Sequence, residues 1–335
     1  MKFPYPVLLC DIGGTNVRFA AVIEAGARLG PLHLGRTADH AEFEMALAAA
    51  MPAFAPAPRS LIVCAAGPVD GRRLKLTNAA WTIDGVALAE RFGFAQGLLL
   101  NDFEAQALSL PALAPNDWTP IGTFETQPGP QIVLGSGTGL GAAALVEGAG
   151  RYIALPSEAG HVDFAPATAE EAALWPHIDT GPIGRVTAEM LLSGSGLVRL
   201  HDARQRAAGR DPGPTREASA ITAGALADKA SAEAASVRHF LTLLARFEGD
   251  LALVFLARGG VTFSGGIVPR LVELLDPASF RAAFEAKAPH HALMQKIGTR
   301  LVSHEEAVLA GMAAVALHPD RYAIDYAARG WRPAP

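Results

Sequence analysis

Cysteine is almost missing: Cys10 and Cys64 are the only two in 335 residues. Two thiols cannot make a disulfide framework, nor can they furnish a cysteine-rich zinc site, so a reducing cytoplasm is the expected setting. Charge is sparse too, at 18% of residues, with 28 Lys and Arg against 33 Asp and Glu and no dense basic run. The formal net charge of -5 leaves no electrostatic footprint for nucleic acid, so any anion must be held by a local site. No uncharged run has the length that spans a bilayer, which argues against a membrane protein. The apolar stretch Val7 to Cys10 ends at Asp11 and is too short for a signal peptide. Finally, no Gly-Lys pair occurs, which excludes a Walker-type phosphate loop.

What the chain does contain is material for a large core: half of it is hydrophobic, with 34 glycines. Its length exceeds one typical core and suits two lobes of roughly 100 to 200 residues each. Val7 to Cys10 reads as a strand, Gly13-Gly14 as a turn and Val17 to Val22 as the returning strand of a hairpin. Leu61 to Ala66 and Gly97 to Leu100 are further strand-like runs, the second leading into a helix from Phe103, so the opening reads as α/β. Pro111, Pro115, Pro120, Pro128 and Pro130 then break the chain, which places a crossing between lobes there. Ile132 to Leu134 enters a second glycine turn, Gly135 to Gly141, followed by an apolar strand Ala142 to Val146.

Strand, glycine turn and strand thus occur twice, which suggests two related halves, with a chance recurrence of common patterns as the competitor. Long helical patterns follow over Ala218 to Leu256, and Val261 to Phe263 leads through Ser264-Gly265-Gly266 into a helix expected over Val268 to Leu275. A last helix is expected from Ser303, with Glu306 completing a capping box.

Glycine turns expose backbone N–H groups that can cradle an anion, because no Cβ blocks the main chain from phosphate oxygens. A lone diglycine is more often a plain hairpin turn, but a pair of such turns could hold two phosphates. Asp11, at the end of the first strand, has the chemistry to hold magnesium directly or through water. Gly139, Gly141 and Ala144, with Glu158 beyond, fit the weak dinucleotide pattern, yet Gly148 and Gly150 leave too little chain for the helix which that pattern needs.

Asn101-Asp102 follows a strand and precedes a helix. Asn101 with Glu104 suffices as a cap, and structural and functional roles for the pair remain evenly matched. Glu158, His161 and Asp163 crowd a glycine-containing loop suited to binding hydroxyls, with a structural histidine or metal ligation as the other readings. Glu189 by itself reads as a surface acid.

Taken in order, Asp11-Ile12-Gly13-Gly14-Thr15-Asn16, Leu100-Asn101-Asp102-Phe103, Leu134 to Gly141, Glu158 to Phe164 and Ser264-Gly265-Gly266-Ile267-Val268-Pro269 resemble the bacterial glucokinase family over about residues 7 to 312. The resemblance implies a two-lobed ribonuclease H-like α/β fold of the actin and hexokinase type, with the active-site cleft between lobes. It implies a small lobe of residues 1–112, completed by a C-terminal helix near 303–320, and a large lobe of 113–302.

It further implies ATP and magnesium as cofactors, glucose as substrate and a homodimer as the assembly. Cys10, Asp11, Ile12, Gly13, Gly14, Thr15 and Asn16, with Gly137, Thr138 and Gly139, would embrace the phosphates, and Gly265 and Gly266 would lie against adenosine. Asn101, Asp102, Glu158, His161 and Glu189 would hold glucose, with Asp102 as general base. Cys10 and Ala159 stand where the family commonly has glycine. The sequence leaves open another hexose, such as mannose or N-acetylmannosamine, polyphosphate as donor, and a non-catalytic sugar-sensing regulator.

Overall fold

The computed structural model describes residues 2–77, 79–122, 127–214, 217–303 and 306–332. Two compact units divide the chain: Met1–Asp117 with Leu145–Pro156 and His304–Pro335, and Trp118–Ala144 with Ser157–Ser303.

The first unit is built on β1 (Val7–Ile12), which turns back antiparallel as β2 (Asn16–Val22), with β3 (His33–Arg36) beyond. Helix α1 (Phe43–Ala50) leads to β4 (Ser60–Ala65), parallel to β1 and buried at every position. A strand covered on both faces needs an uninterrupted apolar run, which Leu61 to Ala65 supplies. After a small antiparallel sheet of β5 (Val69–Asp70), β6 (Arg73–Lys75) and β7 (Thr82–Asp84), helix α2 (Gly85–Phe92) is capped by Asp84 and stopped at Gly93 in left-handed conformation. β8 (Gln96–Asn101) then runs parallel to β4 and passes directly into helix α3 (Asp102–Ser109).

The chain end completes this sheet. Its last strand, Gly330–Trp331, pairs antiparallel with β8 at Leu98 and Gly97, and the fully buried Trp331 ring fills the space that a Cβ on Gly97 or Gly85 would need. The helix Ala307–Leu317 also belongs to this unit and crosses α3 where Gly311 meets Ser109.

A second six-stranded sheet has the same plan. β9 (Trp118–Pro120) is antiparallel to β14 (Thr299–Val302); β14, β13 (Gly260–Ser264) and β10 (Gln131–Ser136) are parallel; β11 (Leu140–Gly148) and β12 (Arg151–Ser157) follow. The first sheet reads last strand, β8, β4, β1, β2, β3, and the second reads β9, β14, β13, β10, β11, β12, so the suspected doubling is a doubling of topology.

One expected helix differs in extent. The helix after Gly266 covers only Val268–Leu271 and tightens into a 3-10 turn, since Leu275 and Asp276 must be extended ahead of Pro277. The long helical patterns expected over Ala218 to Leu256 are present as two helices, Ala218–Ala227 and Ala232–Phe255, parted where Ser231 caps the second. The final helix is described over Ala307–Leu317, and the start and capping box expected from Ser303 run through His304 and Glu305, which lie outside the described residues. Among the described residues no helix is long and apolar enough to cross a membrane.

Several charged side chains are buried, and one carboxylate stands apart from the rest. Glu248, fully buried in Ala232–Phe255, has no hydrogen-bond partner on either carboxylate oxygen among the described residues. Burial pushes its carboxyl well above the usual range, against the opposing pull of Arg281, whose guanidinium is occupied by the Ile297 and Met294 carbonyls, Thr299 and Glu285. The folded state therefore keeps a proton that the unfolded state releases, and stability is lost as pH rises from the unfolded value toward the raised one. Glu248→Met, of similar volume, is expected to add about 1–2 kcal/mol, a few degrees in Tm, with the gain largest at alkaline pH. Unchanged thermal melting near pH 8 would reject this.

Candidate active site

In the first unit the C-terminal ends of the parallel strands gather the acids. Register sets Asp11 against Cys64 and Ala65 against Asn101, so Asp11 and Asn101-Asp102 stand at the edge where α/β sites form. The Gly13-Gly14 turn is braced from behind: the Gly13 amide donates to the Asn16 carbonyl (2.8 Å), the Thr37 hydroxyl to the Gly13 carbonyl (3.2 Å) and the Thr37 amide to the Thr15 carbonyl (3.0 Å). Gly13, Gly14, Thr15 and Asn16 are left exposed. Cys10 and Ile12 bury their side chains in the core, so only their main chains could face a phosphate.

The two Asp11 oxygens are held separately. Arg18 donates to one (3.2 Å), and the buried Cys64 thiol donates to the other (3.4 Å). Burial, with Asp11 beside it, pushes the Cys64 thiol well up, so it stays a neutral donor. Among the described residues no three His, Cys, Asp or Glu side chains form a metal cage. A single carboxylate next to an exposed glycine turn nonetheless fits magnesium, which keeps much of its water and shares phosphate oxygens.

Asn101 caps α3, its Oδ1 accepting from the amides of Phe103 (3.0 Å) and Glu104 (3.2 Å), while Glu104 accepts from the Asn101 amide in return (3.2 Å). The Asn101 side-chain amide donates to the Gly67 carbonyl (3.2 Å). The cap is complete without Asp102. Burial pushes the Asp102 carboxyl up to about 6, with the Asp11 charge adding to the rise and bonds from main-chain amides, the Phe103 amide first, opposing it. A carboxylate of that basicity, spared from capping, suits proton transfer near neutral pH.

In the second unit the remaining candidates surround the turn after β10. The Gly137 amide donates to the Gly139 carbonyl (2.9 Å), and Thr138 is exposed at the tip. Glu189 accepts from the Leu140 amide (2.9 Å), and its carboxylate lies 2.6 Å from where a Gly139 Cβ would stand. Read alone in the sequence as a surface acid, Glu189 is thus bonded into the glycine turn. The loop with Glu158 and His161 lies against the same turn, since Gly160 presses on the Leu140 carbonyl. Glu158 and His161 approach to 3.6 Å, both exposed. The helix Ala188–Leu192 is tied to that loop through the Ala188 amide and the Val162 carbonyl (3.1 Å). Gly265, at φ 90°, passes so close to Ser136 that a Cβ would sit 2.7 Å from its carbonyl oxygen, and Gly266 is exposed beside it. After the turn the chain forms β11, a strand where a dinucleotide site would need a helix.

A glucokinase family model matches residues 8–319. Glucokinase from Chelativorans sp. (strain BNC1) is 41% identical over 332 residues, 98% of this chain and 96% of that one. The chain belongs to the glucokinase family. A crystal structure of glucokinase from an Antarctic psychrotroph superposes with a TM-score of 0.83 at 30% identity, covering 94% of this chain and 99% of that one. A glucokinase of the ROK family from Streptomyces griseus, solved with glucose and AMPPNP, shares the fold at a TM-score of 0.63 and 22% identity, over 93% of this chain and 99% of that one.

Cys10 and Ala159, expected to stand in place of glycine, both fit the packing around them. Cys10 points into the core opposite Phe19 and Val63, and Ala159 is buried in the 3-10 turn Ala159–His161. Sequence reading missed Cys64 as a bonding partner of Asp11, because only strand register brings residues 53 positions apart together. It also missed Arg329, which pairs with Glu104 from 225 positions away.

Proposed function

We propose that this protein transfers the γ-phosphoryl group of ATP to the 6-hydroxyl of glucose, yielding glucose 6-phosphate and ADP. The observation that carries the reading is Asp102, a half-buried carboxylate at a strand end, raised to about 6 and unneeded by the cap of its own helix. Asp102 accepts the hydroxyl proton as the sugar oxygen forms its bond to the γ-phosphorus; the bond to the β-bridging oxygen breaks, and ADP leaves with that electron pair. Glu158, His161 and Glu189 orient the sugar hydroxyls. The braced turn around Gly13-Gly14 and the turn at Thr138 offer main-chain amides to the phosphates, and Gly265-Gly266 gives the adenosine a surface without side chains. Magnesium, held by Asp11 directly or through water, would neutralise charge building on the phosphate oxygens. Two buried free thiols are in keeping with a reducing cytoplasm.

The test is coupled ADP release over a panel of glucose, mannose and N-acetylmannosamine, with ATP or polyphosphate as donor. Sugar-dependent ADP release with the highest kcat/KM for glucose is expected; glucose binding without ADP release would reject the reading. The base must be ionised, so kcat/KM is expected to fall about tenfold per pH unit below about 6. The groups that set this limb are Asp11 with its partners Arg18 and Cys64, and the helix's own amides. A flat profile down to about pH 5 would remove Asp102 from the role.

A further inference from the structure

Beyond the residues matched by the family model, the chain end reaches the base of the helix that carries Asp102. Asp325 caps the short helix Tyr326–Arg329, and the strand that follows is locked by Trp331 against Gly97. Between these anchors Arg329 projects onto Glu104. Its two terminal nitrogens meet the two carboxylate oxygens at 2.7 Å each, and one of them also donates to the Leu99 carbonyl at 2.8 Å. The pair is largely shielded, at 19% and 10% side-chain exposure. Glu104 is also the residue whose carboxylate accepts from the main-chain amide of Asn101, the residue just before Asp102. A carboxylate held bidentately has little rotational freedom, and an arginine fork supplies that geometry where a point charge does not.

We propose that Arg329 is a positioning residue for phosphoryl transfer: through Glu104 and the Leu99 carbonyl it fixes the Asn101-Asp102 turn from which the base acts. The inference rests on the reading of Asp102 as base. Without Arg329 the Glu104 carboxylate is free to leave the Asn101 amide for water, and the turn gains a second arrangement. Near-attack geometry tolerates little such displacement, since a misplacement of about 1 Å can cost about a hundredfold in rate.

The experiment compares full-length Arg329→Met, Arg329→Lys, Glu104→Gln and the Met/Gln double variant in steady-state kinetics with glucose and ATP. Rates are expressed per folded molecule from circular dichroism and melting curves. Glu104→Gln keeps an acceptor for the Asn101 amide while breaking the charge pair, so it tests the link even if Arg329→Met folds poorly.

The expected result is a kcat lowered about ten- to hundredfold in Arg329→Met, with KM for ATP unchanged within about twofold. The double variant should be no worse than the poorer single one, and lysine should restore part of the rate. Arg332→Ala, which removes a neighbouring cation bonded to Gln96 instead, should leave kcat unchanged. A kcat per folded molecule within about twofold of wild type in both Arg329→Met and Glu104→Gln would overturn the proposal, as would additive losses or an equal loss in Arg332→Ala. Asp102→Asn, assayed alongside, separates the two claims: full turnover there removes the base itself, whereas its inactivity with unimpaired Arg329 variants removes only the positioning role.

Discussion

Asp102→Asn is expected to lower kcat by about 10²–10⁴-fold while making the folded protein more stable. The loss follows from chemistry: an amide keeps the size and hydrogen-bonding shape of the carboxylate but cannot take the hydroxyl proton. The gain follows from the raised carboxyl. Between the unfolded value near 4 and the folded value of about 6, the folded state holds the Asp102 proton more tightly than the unfolded state does. Stability therefore falls as pH rises through that window and stays lower above it, where the enzyme works.

Two pH units correspond to about 3 kcal/mol, and the residual exposure of the side chain reduces this to about 1–2 kcal/mol. At pH 7.5 the asparagine variant should melt a few degrees higher than wild type, still bind glucose, and release almost no ADP. Calorimetry and the coupled assay on one preparation read both quantities. Lower stability together with lower turnover would mean that Asp102 serves the fold and not the reaction.

Gly160→Ala should cost both substrates at once. A Cβ at Gly160 would overlap the Leu140 carbonyl oxygen and crowd its carbon at 3.2 Å and its Cβ at 3.4 Å. The obstacle is backbone on the edge of β11, so it cannot swing aside as a flexible side chain would. Either the loop bearing Glu158 and His161 or the turn bearing Thr138 must shift by about an ångström. Displacement on that scale near reacting groups costs about a hundredfold in kcat/KM, with a stability loss of about 2–4 kcal/mol from strain in a packed region. The adjacent Ala159 packs its own Cβ without conflict, so Ala159→Gly should change little beyond a small backbone-entropy cost. Kinetics for glucose and ATP, with melting curves for both variants, provide the check; a Gly160→Ala enzyme of normal kcat/KM would show that the loop does not depend on this approach.

The strands beside the site could be read along the chain because their cause is local. Val7 to Cys10, Leu61 to Ala65 and Leu98 to Leu100 are short uninterrupted apolar runs, and a parallel strand buried on both faces can be little else. The cap formed by Asn101 and Glu104 was equally legible, since a capping box spans only three residues. Where local signals competed, the reading slipped. Val268 to Leu275 has helical composition, yet the turn before Pro277 shortens it.

The sequence by itself determined which groups are available: paired glycine turns, a spare carboxylate after a capped helix start, and an acid and histidine loop in an order that marks the glucokinase family. Tertiary structure alone decided how those groups are held. Strand register sets Cys64 beneath Asp11, burial raises Asp102, the Leu140 carbonyl makes Gly160 obligatory, and the Glu189 carboxylate occupies the space beside Gly139. The chain end closes the first sheet and carries Arg329 to Glu104. The reason is physical. Strand, turn and cap signals arise between residues a few positions apart, whereas desolvation, register and close approach depend on residues tens to hundreds of positions away, which only the folded chain brings together.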